Sequence, residues 1–203
     1  MNPPSDPPPV TATDTIATVA PETPSPGWLL ISISTGSANA SLRVHVWRKL
    51  RGLGGVYLHN SVCLLPDLTD VTRQITRLLD RVQREGGTGR LLHIDIPRSG
   101  ERDELIAQFN AARDDEYNEV LQRLPEFFAE LDRETERGRT TYAEVEENET
   151  DLKRYRSWLA TITARDYFDA PHGRVARAEL DRAEDAFTAF EARSLAAEQP
   201  PEG

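Results

Sequence analysis

The segment GVYLHNSVCLLPD, residues 55–67, holds two short apolar runs that meet at Asn60-Ser61. Residues 56–59 and 61–65 carry the branched and aromatic side chains that strands favour, and Asn-Ser between them suits a tight turn. Both faces of the second run are apolar, as in a central strand that is covered on both sides. The segment therefore predicts a β-hairpin inside a sheet rather than a ligand-holding loop.

Two elements precede this hairpin. WLLISIS, residues 28–34, is typical of a strand. In ASLRVHVWRKLRGLG, apolar residues recur at Leu42, Val46, Leu50 and Leu53, which is helical spacing, and glycines end the pattern. The sequence therefore predicts a strand and then a helix before the hairpin.

Two more elements follow the hairpin. Pro66 closes it, and Asp67 is in position to cap a helix over residues 68–85. RLLHIDIP, residues 90–97, is typical of a last strand. The order βαββαβ is the split unit of ferredoxin-like folds, so we predict an α+β chain with strand order 4-1-3-2.

Alternation along each strand predicts which side chains lie on the sheet face under the first two helices. We expect this face to carry Leu29, Ile31, Ile33, Val56, Leu58, Val62, Leu64, Leu92, Ile94 and Ile96. The opposite face is apolar as well, so a further layer must cover it.

Residues 99–195 supply a candidate for that layer, because their apolar residues recur at helical spacing. Ser99 is in position to cap a first helix, which Pro125 should kink or break. Thr141 and Glu144 have the spacing of a capping box and open a second helix, in which Tyr155 and Trp158 anchor the core. We predict a bundle of three to four helices packed on the sheet.

These patterns divide the chain into four parts. Residues 1–27 are rich in Pro, Thr and Ser and are predicted to be a disordered tail, because they offer little apolar surface to bury. Residues 28–98 form the ferredoxin-like domain and residues 99–195 the helical subdomain. Residues 196–203 are predicted to be a disordered end.

Deleting the first 27 residues should leave the melting temperature within a few degrees of that of the full chain, because the tail adds nothing to the core. Calorimetry of both chains measures the difference. A much larger loss would show that the tail is part of the folded core.

Charge is unevenly distributed along the chain. The formal net charge is −10, yet residues 28–100 carry ten Lys or Arg against five Asp or Glu. An acidic whole argues against a protein that clamps nucleic acid constitutively. The basic part, in contrast, is compatible with a local anion or nucleic-acid site.

Composition also bears on location. Cys63 is the only cysteine, which excludes an intramolecular disulfide and a cysteine-ligated zinc cluster and fits a reducing compartment. No apolar run is long enough for a transmembrane helix, and the N-terminus lacks the basic and apolar regions of a signal peptide. We therefore expect a cytoplasmic protein with no membrane partner.

Catalytic and metal-binding patterns are missing from the sequence. The four histidines form neither an HxH nor an HExxH pattern, and Cys63 lies in apolar company, where a thiol is normally inert. The glycines at 52, 54 and 55 follow a helix instead of joining a strand to one, so they do not form a phosphate loop. We predict no catalytic residue, no metal and no cofactor.

Arginine is the remaining candidate for a function. The first helix carries four bases and no acid, and guanidinium groups bind oxyanions and phosphates bidentately. We predict an anion site at this part of the chain, with Arg48 and Arg51 as the leading contacts. The full set of candidate residues is Arg43, Arg48, Lys49, Arg51 and Arg98. The alternative is a solvated basic helix without a ligand.

Arg113 and Arg165 are a separate case. Each stands beside acids, in ARDDEY and ARDYF, and each is expected to form a structural ion pair. An anion site where the basic part meets the helical part is the alternative.

Three stretches together, VWRKLRGLGGVYLHNSVCLLPD, FNAARDDEYNEV and ARDYFDAP, resemble the N-terminal domain of the chromate-resistance regulator family ChrB. The similarity covers about residues 27–195. It implies a chromate-responsive regulator whose ferredoxin-like part is related to PaaX-type repressors. Those repressors carry a winged helix before this part, where the present chain has its Pro-rich segment. This difference argues against DNA binding by this chain alone, although DNA is kept as an alternative partner.

We therefore interpret the chain as a non-enzymatic regulatory or sensor domain for chromate or a similar oxyanion. One alternative is a protein-interaction scaffold without a ligand. Another is an enzyme on a ferredoxin-like fold. Whether the chain forms a homodimer stays open.

Overall fold

The computed structural model describes residues 27–36, 39–138 and 141–198. Its strands are β1 Trp28–Ser34, β2 Val56–His59, β3 Val62–Pro66 and β4 Thr88–Ile94. Its helices are α1 Ala40–Gly52, α2 Thr69–Arg84, α3 Ser99–Arg137, α4 Tyr142–Thr163 and α5 Pro171–Glu198. The predicted disordered tail, apart from Gly27, and the chain after residue 198 lie outside the described residues. The predictions for those segments stay predictions.

The predicted α+β fold is confirmed. The sheet has the order β2-β3-β1-β4, and each neighbouring pair is antiparallel. The segment 55–67 forms the predicted hairpin, in which Tyr57 lies opposite Cys63 and a bulge follows before His59. Three helices, α3, α4 and α5, follow β4, which agrees with the predicted three to four helices.

Many of the residues that were predicted to lie on the sheet face under α1 and α2 lie on the other face. Ile31 of β1 lies opposite Cys63 and Leu91, on the face that α1 and α2 cover. Leu64 and Ile94 pack on the other face instead. Strands β3 and β4 are apolar at consecutive positions, so alternation could not decide which of their side chains share a face with Ile31.

A first core lies between the sheet and helices α1 and α2. The apolar stripe of α1 is buried as its spacing predicted, with Leu42 1% exposed and Leu50 2% exposed. Helix α2 contributes Val71, Ile75, Leu78 and Val82 to the same core.

The predicted cap of α2 is incorrect. The N-cap is Leu68, whose side chain makes no capping bond. The carboxylate of Asp67 instead accepts a hydrogen bond from the Thr72 hydroxyl at 3.0 Å and contacts Nδ1 of His93 at 2.6 Å. The bond to His93 is the main reason why the pKa of Asp67 is lowered. Asp67 therefore ties the end of β3 to β4.

The opposite face of the sheet is covered by the helical part, as predicted. Trp28 of β1 is 2% exposed and stacks on Phe168 with ring centroids 5.5 Å apart. Phe109 of α3 completes an aromatic cluster, at 5.7 Å from Trp28 and 5.4 Å from Phe168. Leu64 of β3 packs against the same group. This cluster joins the sheet, α3 and the connection between α4 and α5.

Helix α3 differs from the prediction in two respects. It begins after an N-cap at Arg98, with Ser99 as its first helical residue and no side-chain cap. It also continues through Pro125 to Arg137, so the break, one of the two predicted effects of this proline, does not occur. A proline inside a helix costs about 3 kcal/mol. Burial of residues on either side of it, such as Leu124 and Phe127, offsets that cost.

Helices α3, α4 and α5 form a second core. The capping box at the start of α4 is confirmed, because Thr141 and Glu144 exchange side-chain and backbone hydrogen bonds. Tyr155 is buried in this core, whereas Trp158 packs against it half-buried under the guanidinium of Arg123. None of the helices in the described part of the chain is long and apolar enough to cross a membrane.

Candidate functional site

The bases of α1 point in different directions. Arg43 lines a groove between α1 and β2, and Lys49 donates to Oε1 of Gln74 on α2 at 2.6 Å. The guanidinium of Arg51 lies over the Trp47 ring, 5.2 Å from its centroid. The side chain of Arg48 is exposed. The four predicted residues therefore do not converge on one point.

Arg98 is separate from this group. It precedes α3 and forms an exposed ion pair with Glu101 at 3.1 Å. An ion pair between two exposed side chains adds little stability, but it does leave Arg98 partnered. The structure does not bring Arg98 to the bases of α1.

Two adjacent depressions lie along the contact between α1 and α2. One is lined by His45, Lys49, Arg77 and Arg81, and the other by His45, Arg48 and Arg81. We call these five residues the α1–α2 basic surface. Arg77 and Arg81 were absent from the predicted set, although their spacing of four residues places them on one side of α2.

The groups on the α1–α2 basic surface differ in how far they are already paired. Arg81 bonds Oε1 of Glu85 at 2.7 Å, and its Nη1 lies 3.1 Å from Nε2 of His45. Within the described residues, Arg48 and Arg77 have no carboxylate within ion-pair distance. These two guanidinium groups are therefore available to an anion.

The acids that could neutralise this surface are few. From Gly27 to Pro66 the sequence contains no Asp or Glu, although the whole chain contains 34. Arg48 and Lys49 both lie in this acid-free segment. The positive potential at α1 is therefore opposed only by acids from other segments, such as Glu85.

A second arginine cluster lies where the sheet domain meets the helices. Arg113 of α3 is 5% exposed, and its Nη2 donates to Oε1 of Glu116 at 3.2 Å. Nη2 of Arg165 lies 3.0 Å from Oε2 of the same carboxylate. Burial lowers the pKa of the Arg113 guanidinium, and the charge of Glu116 opposes this shift. The predicted ion pairs of Arg113 and Arg165 thus share one acid.

The loop after α1 fits closely onto this cluster. Gly54 has φ of 75°, and a Cβ at this position would lie 2.5 Å from Nη1 of Arg113. The hydroxyl of Tyr167 donates to the carbonyl of Leu53 at 2.8 Å. Glycine is required here for both its conformation and its size. The cluster therefore fixes the position of the helical part against the α1–β2 loop.

A neighbouring set of bonds positions the start of α5. The hydroxyl of Tyr117 donates to Oδ2 of Asp166 at 3.0 Å, and the backbone N–H of Ala170 donates to Oδ1 of the same carboxylate at 3.0 Å. The backbone N–H of His172 donates to Oδ1 of Asp114 at 2.8 Å. These acids are used by the fold, which agrees with a structural role for this region.

Neither the Cys63 thiol nor the grouping of possible metal ligands in the described residues has the geometry of a nucleophilic or metal site. Cys63 is fully buried in β3, and burial raises the pKa of its thiol to about 12. A thiol that stays protonated at neutral pH is a poor nucleophile. Among the described residues, no three His, Cys, Asp or Glu side chains are grouped so that they could hold a metal ion.

The chain is similar to a known protein family and to a curated protein. The model of the family described as "Protein ChrB, N-terminal" matches residues 43–201. Protein ChrB of Cupriavidus metallidurans is 26% identical over 162 residues, which are 79% of this chain and 45% of that protein. The chain therefore spans less than half the length of this curated relative.

Proposed function

This chain belongs to the family of ChrB N-terminal domains, and on that premise we propose that it is a non-enzymatic regulatory domain linked to chromate resistance. In this proposal, chromate or a similar oxyanion binds the α1–α2 basic surface and thereby changes the state of the regulator. A cytoplasmic site of action is part of the proposal, because the single cysteine is a buried free thiol.

The observation that supports the anion site is the pair Arg48 and Arg77. Both guanidinium groups lie on the α1–α2 basic surface and lack a carboxylate partner within the described residues. Arg77 lines one of the two adjacent depressions and Arg48 the other, and His45 and Arg81 line both. A guanidinium group with free N–H donors suits a tetrahedral dianion, which accepts several charge-assisted hydrogen bonds. Arg51 lines neither depression, so Arg77 replaces it beside Arg48 as a leading contact.

The affinity should be modest and sensitive to salt. The contacts are exposed, so they act in a medium of high dielectric constant and are screened at physiological ionic strength. Raising the salt concentration should therefore weaken binding. A backbone contact with DNA would follow the same trend, so anion and DNA binding have to be measured separately.

Calorimetric titration of the full chain with chromate, and with sulfate for comparison, tests this proposal. Replacing Arg48 and Arg77 together by alanine should weaken chromate binding by up to about thirtyfold, because each exposed contact contributes up to about 1 kcal/mol. The matched control replaces Arg174 and Arg193, two exposed arginines of α5, and should leave binding unchanged. Equal binding by both double variants would exclude this site.

A gel shift with the same variants separates the remaining alternatives. Salt-dependent retention of DNA that is lost with Arg48 and Arg77 would assign the basic surface to nucleic acid. If the parent chain binds neither anion nor DNA, the interaction scaffold becomes the better interpretation. The groove between α1 and β2 is the feature that favours it.

A further inference from the structure

A groove runs between α1 and the edge strand β2, next to the α1–α2 basic surface, and shares Ala40 and Val44 with one of the depressions there. Its floor is formed by the buried side chains of Ile33 and Leu50. Its walls carry large apolar side chains that are exposed, with Trp47 46% and Val44 44% accessible on α1, and Tyr57 36% accessible on β2. We call this feature the β2 groove. It encloses about 840 Å³.

Strand β2 offers hydrogen-bonding groups beside this groove. It is the outermost strand of the sheet and pairs with β3 on one side. No other strand in the described ranges pairs with its second side. A shallow depression lined by Trp47, Tyr57 and Leu58 continues from the groove around this free edge. A free strand edge beside an apolar groove is the arrangement that accepts an extended peptide as an added strand.

The charge around the groove indicates what kind of segment fits. Arg43 lines the groove, Arg51 lies on Trp47, and the whole segment from Gly27 to Pro66 lacks Asp and Glu. An acidic segment is therefore favoured. Pairing with β2 of a second copy is disfavoured, because it would place two acid-free basic helices side by side.

The N-terminal segment of this chain has the required chemistry. Residues 10–20 read VTATDTIATVA, in which Val, Ile and Thr predominate, and such β-branched residues favour strands. The first 27 residues contain Asp6, Asp14 and Glu22 but no Lys or Arg. We propose that residues 10–20 dock in the β2 groove of their own chain as an extended segment along the free edge of β2.

The covalent connection is long enough for this docking. The groove is lined by Ile33, which lies about 20 Å along β1 from Gly27, and a strand added beyond β2 lies three strand spacings, or about 14 Å, to the side. The two offsets together make about 24 Å. The chain from Ile16 to Gly27 can span up to about 36 Å when it is extended. The segment therefore reaches the groove from the start of β1.

Tethering makes even a weak contact effective. A short flexible linker gives an effective concentration of about 1 mM, so an intrinsic dissociation constant of about 0.1 mM leaves roughly ten docked molecules for each open one. Docking of this strength adds only a little to global stability, so it agrees with a small change in melting temperature on deletion. The docked segment would occupy the groove until a competing partner displaces it.

Hydrogen exchange of the β2 amides in the full chain tests this proposal. Replacing Ile16 and Val19 together by asparagine should speed exchange over β2 by about tenfold, because the docked population falls. Val44→Glu should have the same effect, since it places an acid in the wall of the groove. The matched control is Val175→Glu on α5, which is 50% exposed and should leave β2 exchange unchanged. Circular dichroism establishes that each variant is folded.

Three results would overturn the proposal. The first is unchanged β2 exchange in both the Ile16/Val19 and the Val44 variants. The second is protection that grows with protein concentration, which would assign the groove to a second copy. The third is protection that requires an added thymidine oligonucleotide, which would indicate base stacking on Trp47 and Tyr57 instead of a peptide. The Ile16/Val19 variant changes no residue of the anion site, so the docking proposal and the anion proposal can fail independently.

Discussion

Replacing Glu116 by alanine is expected to lower the free energy of unfolding by about 3–5 kcal/mol, the cost of leaving a buried charge without its partner. Glu116 is the carboxylate that contacts both Arg113 and Arg165, and its side chain is 21% exposed. Without it, two guanidinium groups of like charge face each other. Arg113 cannot escape to solvent, because its side chain is 6% exposed.

Urea denaturation of the variant, followed by circular dichroism, measures this cost. Glu119→Ala is the matched control, since Glu119 lies on the same helix and is exposed. Adding Arg113→Met to Glu116→Ala should recover part of the loss, because a methionine removes one of the two unpaired charges. If Glu116→Ala and Glu119→Ala are equally stable, the cluster does not hold the two parts of the protein together.

The order of the elements could be predicted because local patterns determine it. The stripe of Leu42, Val46 and Leu50 predicted α1, and the turn at Asn60-Ser61 predicted the hairpin. Topology then followed from the small number of ways in which a βαββαβ series forms a sheet. The predicted faces failed where local pattern carries no information, namely in strands that are apolar at consecutive positions, such as VCLL in β3.

The remaining errors have non-local causes. Asp67 is a residue type that often caps helices, and it stands just before α2. Its carboxylate instead contacts His93, which lies on a strand 26 residues later. Proline disfavours the interior of a helix, but the buried residues before and after Pro125 in the sequence keep α3 continuous. Each local preference is worth a few kcal/mol at most, so a distant contact can outweigh it.

In the candidate site, too, local sequence patterns could be predicted, whereas contacts between distant residues could not. The basic character of α1 is visible in the sequence, whereas its meeting with Arg77 and Arg81 depends on how α1 and α2 pack. The prediction that Arg113 and Arg165 form ion pairs was correct. That they share Glu116 could not be predicted, because Arg165 lies 49 residues from it in the chain.

Replacing Trp28 by alanine is expected to lower the free energy of unfolding by about 3–5 kcal/mol, the range for a large buried aromatic side chain. Trp28 is 2% exposed and touches Phe109 and Phe168, which come from α3 and from the connection before α5. Its removal leaves a cavity between the sheet and the helical part. Residues on both sides of that cavity are held by the fold and can collapse into it only partly.

Trp47→Ala is the comparison, because Trp47 is 46% exposed and should cost about 1 kcal/mol or less. Unfolding should be followed by circular dichroism and by the fluorescence of the remaining tryptophans, one of which is Trp158 on α4. In the parent chain the two signals should change together, since the aromatic cluster couples the sheet to the helices. In the Trp28 variant we expect the circular dichroism signal of the helices to persist under conditions in which the fluorescence shows that the sheet has already unfolded. Coincident transitions and an unchanged midpoint in that variant would mean that the contact around Arg113 and Gly54, and not the aromatic cluster, joins the two parts.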